Sequence, residues 1–136
     1  MRRRTRAREL ALQMLYQVDV RGDEVLADAP GFFEREEPGQ PDLHAFAKKL
    51  LAGALEARPK IDAIITAAAQ NWDLRRMAVV DRNILRMAIY EMLFADDIPA
   101  KVSINEAIEL GKRFSTKQSG SFINGILDRI RREQGL

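Results

Sequence analysis

The sequence has no cysteine and a single histidine, His44. That excludes disulfide frameworks, thiol nucleophiles, zinc sites built from Cys/His sets, and any Ser-His-Asp relay centred on another imidazole. His44 lies in PDLHAFAKKLL, near a helix start, and reads as a helix-surface residue. No run approaches the roughly 18 apolar residues of a membrane span. A secretory signal is missing too: Glu9 follows the first arginines, and LALQMLYQV is amphipathic and broken by Gln13. GSFING has no Lys-Ser/Thr after its glycines, so it is no Walker loop, and HEXXH, DXDXDG and GXSXG do not occur. The acids fall at helix caps and on helix surfaces, where capping and solubility account for them. The expectation is a cytoplasmic, non-enzymatic protein with no membrane contact, metal or cofactor.

Charge is present in quantity and unevenly placed. Residues 1–8 carry five arginines, Arg2, Arg3, Arg4, Arg6 and Arg8, and no acid, leaving 17 basic against 20 acidic side chains beyond them. A basic tip on a mildly acidic body suits a polyanionic partner reached by that tip. Cations at a helix N-terminus oppose its dipole, so a flexible arm is expected over residues 1–8, ordered when something negative binds.

The chain is organised around MAVVDRNILRMAIYEMLF, Met77 to Phe94, where apolar residues cover almost the whole helical circumference. Such a helix belongs in the middle of a bundle. Its polar exceptions Arg82, Asn83 and Arg86 share one strip, with Asp81 and Glu91 further round, and Arg82 has no carboxylate four residues away on either side. The strip is the helix's expected outlet to the surface. It reads either as a solvated charged face or as an anion-binding one.

Elsewhere the spacing predicts a first helix with Leu10, Met14 and Val18 on its apolar face, stopped by Gly22. A short helix and loop follow over 23–41, sealed by Phe32 and Phe33. Asp42 is expected to cap a third helix, and Pro59 to open a fourth. Asn71 to Arg76 makes a corner before the central helix. Ser103 and Glu106 in VSINEAIELGKRF have capping-box spacing. Phe122, Ile123, Ile126, Leu127 and Ile130 face the core from a last helix. At 136 residues, with about seven helices, no strand alternation and no repeat, the fold class is an all-α bundle forming one domain.

Guanidinium groups fork onto phosphates and stack on bases, so RRRTRAR points to nucleic acid. Arg82 and Arg86, with Lys112, Arg113 and Lys117 leading into STKQSGSF, offer a second patch. Phe122, just after that polar turn, is either a core residue or a stacking surface for an unpaired base.

Four stretches in register, RRRTRARELALQMLYQ, DRNILRMAIYEM, IPAKVSINEAIELGKRF and SFINGILDRI, resemble the NusB family of bacterial transcription antitermination factors over nearly the full length. The resemblance implies two packed three-helix-type subdomains, about 9–57 and about 59–136, behind the arm. It implies an RNA-binding factor that pairs with the ribosomal protein NusE on single-stranded boxA RNA of ribosomal RNA leaders, then joins other Nus factors on RNA polymerase. Carried over residue by residue, Arg2, Arg3, Arg4, Arg6 and Arg8 become RNA contacts, as do Arg86 and, by stacking, Phe122. Arg82, Lys117 and Gln118 border the same path. Tyr16 and Asp81 fall where RNA and partner surfaces meet and are assigned to the partner. Gln118 replaces a familiar acid, while Ala69 and Arg75 replace an expected aromatic and acid. Family members occur as monomers or homodimers, and a dimer can hide the arm. Two alternatives compete: the NusB-like regulatory domain of ribosomal RNA cytosine methyltransferases, against which the absence of a catalytic domain and of a cysteine nucleophile argues, and a purely structural interaction module.

Overall fold

Helices form where apolar residues recur three and four apart, and the described residues hold seven: α1 (Arg3–Arg21), α2 (Ala29–Glu36), α3 (Pro41–Glu56), α4 (Arg58–Ala68), α5 (Val79–Phe94), α6 (Ala100–Phe114) and α7 (Ser119–Glu133). Short 3-10 segments occupy Asp23–Asp28 and Leu74–Arg76. The computed structural model describes residues 2–70 and 72–136. Expectations that touch Met1, at the tip of the arm, and Asn71, at the corner before the central helix, fall outside the described residues.

The helix α5 is the hub. Ile84, Leu85, Met87, Ala88, Ile89 and Met92 are all buried on it, and each large apolar side chain so buried contributes about 1.5–3 kcal/mol. It packs against α1, α3, α4, α6 and α7. One contiguous core follows from this, drawing on Leu10 and Leu15 of α1, Leu50 of α3, Ile61 and Ile65 of α4, Leu110 of α6 and Leu127 of α7. Phe33 is buried and Phe32 packs beside it, closing α2 onto that core.

Local chemistry sets the ends. Gly22 takes φ +101°, a left-handed value that glycine adopts without penalty, and its N–H donates to the Val18 carbonyl at 2.8 Å to finish α1. Two expected caps are corrected. The residue before α3 is Gln40, with Pro41 and Asp42 already inside the first turn. In α6 the helix begins at Ala100 behind Pro99, so Ser103 sits a turn inside it and turns its hydroxyl inward to Glu91. Pro99, whose ring favours a helix start, outcompetes the capping-box pattern.

Among the described residues no helix is long and apolar enough to cross a membrane.

Candidate nucleic-acid interface

The arginines start inside a helix. Arg2, extended at φ −66° and ψ 142°, precedes α1, whose first turn opens at Arg3, whereas sequence reading ran the arginines off the front of a helix beginning near Glu9. Partners from four other helices offset the unfavourable dipole, which costs about 0.3–1 kcal/mol per cation. Arg4 and Arg8, one turn apart, lay their guanidinium carbons over the Phe46 ring at 4.5 and 5.4 Å. The Thr5 hydroxyl donates to Glu106 at 2.6 Å. Arg6 donates to Glu9 at 3.1 Å and to Glu37 at 3.0 Å, with Glu36 at 3.5 Å.

Arg8 is placed differently from the other four. Its Nε and Nη2 form a two-pronged pair with Glu91 of α5 at 2.9 and 2.8 Å, and Nη1 reaches Glu106 at 3.1 Å. Both side chains of the pair are almost wholly buried, at 3% and 2% exposure, so Arg8 presents no donor to solvent. Arg2, Arg3 and Arg4 are exposed. Arg4 has only a loose pair with Asp97 at 3.5 Å, and among the described residues Arg2 and Arg3 pair with no carboxylate.

The strip on α5 is the main correction. Arg82, Asn83 and Arg86 do not face open solvent, because α1 and α4 cover them. Asp19 of α1 accepts from Arg82 Nε and Nη2 at 2.7 Å each, from Asn83 Nδ2 at 2.8 Å and from Arg86 Nη1 at 2.9 Å. Arg86 completes a second fork onto Asp62 of α4 at 2.8 and 3.0 Å. Burial pushes the Asp19 carboxyl up, but the hydrogen bonds from Arg82 and Asn83 and the charges of Arg86 and Arg82 outweigh it and bring it down to about 2. Spacing along one helix could not reveal acids supplied by two others.

The remaining predicted residues gather around the α6–α7 turn. Lys117 and Gln118 are exposed there, and Phe122 follows one turn later, its N–H donating to the Gln118 carbonyl at 3.1 Å. Phe122 is half-buried: it packs on the core and meets Trp72 edge to face, centroids 5.4 Å apart and planes at 74°. Arg113, at the end of α6, pairs with the buried Glu9, which also holds Arg6. One carboxylate therefore joins the front of α1 to the turn that carries Lys117 and Gln118.

The two residues assigned to a partner lie apart. Tyr16 is exposed and lines a groove of about 360 Å³ together with Leu12, Phe32, Val80 and Phe114. Asp81 is buried beneath the start of α7, where Oδ2 accepts from the Ser119 hydroxyl at 3.1 Å, and Oδ1 is the buried side-chain atom left without a partner among the described residues.

Sequence reasoning missed Glu9, Asp19, Asp62, Glu91 and Glu106, the acids that sort the arginines, and Trp72. Glu9 carried a signal, three residues from Arg6 and inside the apolar phase of α1. The others are recognisable only once helices pack. Among the described residues no group of three or more His, Asp or Glu side chains is arranged to hold a metal ion. What the surface offers is free guanidinium and ammonium groups at α1 and the α6–α7 turn, with aromatic rings beside them.

Comparison with known proteins converges on one family. The model of the NusB family matches residues 5–132. The transcription antitermination protein NusB of Geobacter sulfurreducens is 52% identical over 123 residues, covering 90% of this chain and 89% of that protein. That of Pelotomaculum thermopropionicum is 49% identical over 130 residues, covering 93% and 88%. Among solved structures, T. maritima NusB superposes with a TM-score of 0.84 at 42% identity over 96% of this chain and 91% of that one. A chain from the crystal structure of antitermination factors NusB and NusE in complex with dsRNA gives 0.88 at 28% identity over 98% of each. The helices superpose, the sequences agree across nearly the whole length, and the chain belongs to the NusB family of transcription antitermination proteins.

Proposed function

We propose that this chain is an RNA-binding transcription antitermination factor, without enzymatic activity, that works in the cytoplasm with NusE on single-stranded boxA RNA of ribosomal RNA leaders, within a complex of other Nus factors and RNA polymerase. The observation that carries the reading is the exposed trio Arg2, Arg3 and Arg4 on a helix locked at Arg8. A rigid base carries a free cationic tip, so phosphate contacts need little ordering of the backbone. The solved relative with NusE and dsRNA supports an RNA partner and a NusE partner.

In this reading Arg2, Arg3, Arg4 and Lys117 supply phosphate contacts, Arg6 joins them when RNA displaces Glu36 and Glu37, and Gln118 and Phe122 meet splayed-out bases. Arg8, Arg82 and Arg86 act by positioning α1, α4 and α5. Tyr16 lines the groove offered to NusE, and the buried Asp81 acts on that side only by holding the start of α7 through Ser119.

The test is a titration of boxA single-stranded RNA, a scrambled strand and a duplex, with and without NusE, against the protein and a variant with Arg2, Arg3 and Arg4 all replaced by alanine. Selective binding to boxA, strengthened by NusE and weakened in the variant, is expected. The salt slope should fall by about 0.7 per phosphate contact removed. Equal binding to all three RNAs, indifferent to NusE and to the arginines, would overturn the reading.

A further inference from the structure

We propose that Trp72 forms, with Phe122, a two-ring platform that takes an unpaired base of the bound RNA, so that the binding surface extends past α7 onto the link between α4 and α5. The inference rests on the RNA-binding reading above and adds a site to it.

Trp72 is the only tryptophan in the chain, and 55% of it is exposed. An apolar ring that large is normally drawn into a core. Here it is held out on the link after α4 by specific bonds. Its own N–H donates to the Ala69 carbonyl at 2.9 Å. The next residue, Asp73, accepts from the Arg75 N–H at 2.9 Å and fixes the turn that follows. The ring's neighbour is Phe122, edge to face at 5.4 Å.

The two elements that carry the rings are latched together. Arg129 lies on α7 two turns beyond Phe122, hence on the same face, and its Nη1 donates to the Ala68 carbonyl at the end of α4 at 3.3 Å. The separation of the rings is thus set by the scaffold, which lowers the ordering cost of binding.

Cations flank the rings on both sides in sequence. Arg75, its side chain 89% exposed and paired with Asp73 at 3.2 Å, and the exposed Arg76 follow Trp72, while Lys117 precedes Phe122 by five residues. Flat aromatic faces between cationic groups suit a strand that carries bases and phosphates in alternation. A duplex keeps its bases stacked inside, so only a single-stranded stretch can use the platform. The path then runs from the arginines of α1, past Arg6 and Arg113, which share the buried Glu9, across the α6–α7 turn to Phe122 and Trp72.

A sole tryptophan gives the test its own reporter. The intact protein is titrated with boxA RNA while binding is followed twice, by anisotropy of a label on the RNA and by Trp72 emission. The same anisotropy titration is run on Trp72→Ala and Trp72→Phe, after circular dichroism has shown that each variant is folded. The expected result is quenching of Trp72 with the midpoint seen by anisotropy, affinity reduced about 5- to 30-fold in W72A, and near-parental affinity in W72F. RNA that binds by anisotropy without changing Trp72 emission, or that binds W72A as tightly as the parent, overturns the platform and leaves the RNA-binding reading intact. No binding by anisotropy to any of these proteins overturns both.

Discussion

Replacing Arg8 by alanine should unfold this protein more readily while leaving its RNA contacts largely in place, the reverse of what its membership in the arginine cluster implies. Arg8 and Glu91 are buried at 3% and 2% exposure, and removing one member of such a pair leaves the other charge in a poorly solvated site. The usual cost is about 3–5 kcal/mol. Glu91 keeps the Ser103 hydroxyl at 3.0 Å, which places the estimate at the lower end, about 3 kcal/mol, or about 10 °C in melting temperature for a domain of this size. Glu106 loses a partner as well, but it keeps Thr5 and is partly open to water, so it adds little. Urea denaturation followed by far-ultraviolet circular dichroism measures the loss as a lower midpoint with an unchanged slope. Replacing both members, R8M with E91M, should cost far less than the two single changes added together, by about 2 kcal/mol or more of coupling. Arg3→Ala should do the opposite: no change in urea midpoint and a salt slope for RNA lowered by about 0.7. An R8A midpoint within about 0.5 kcal/mol of the parent would refute the buried-pair argument. So would an R8A protein, still folded, that loses a full phosphate contact in its salt slope.

The other predictions concern neighbouring features. The Asp19 carboxyl titrates near 2 in the folded chain against 3.8 ordinarily, so its contribution is complete above about pH 4 and is lost as the pH falls through 2. With solvent screening allowed for, that contribution is about 1–2 kcal/mol, read from urea midpoints at stepped pH, and Asp19→Asn should remove this part of the pH dependence. Replacing Glu36 and Glu37 by glutamine frees the half-buried Arg6 and should tighten RNA binding by up to about fivefold at low salt, with no gain in an Arg6→Ala background. Gly53→Ala should cost about 1–3 kcal/mol in thermal melts because the new methyl overlaps the Tyr90 ring. Gly111→Ala should fall within about 1 kcal/mol of the parent, since there the contact at 2.7 Å is only the terminal Cδ1 of Ile123 and alanine favours the helix.

The bundle was legible because its helices are amphipathic, and the hub was legible because Met77 to Phe94 is apolar nearly all round. Helix starts were less so. Ser103 with Glu106 has the pattern of a cap, yet Pro99 begins the helix a turn earlier, and the serine serves Glu91 instead. The site was legible in composition and obscure in allocation. Five arginines in eight residues announce a polyanion, but nothing local distinguishes Arg3, which is free, from Arg8, whose acids lie 83 and 98 residues away. The same holds for Arg82 and Arg86: an outlet by the arithmetic of one helix becomes a closed junction once Asp19 and Asp62 arrive from α1 and α4. Trp72 was passed over because it lies in a non-helical link, where periodicity says nothing.

The long reach of those pairs bears on how the chain comes to exist. Of the seven helices among the described residues, the first in chain order is among the last to be neutralised. Arg8 waits for Glu91 and Glu106, Asp19 for Arg82 and Arg86, and Glu9 for Arg113, 104 residues on. A nascent chain that stops at the end of α4 holds the apolar face of α1 with its buried charges still unmatched, and contacts this distant in sequence form late and together. The geometry that holds the RNA-facing arginines is therefore completed only once α6 has been made. A partly made chain does not present a finished binding tip.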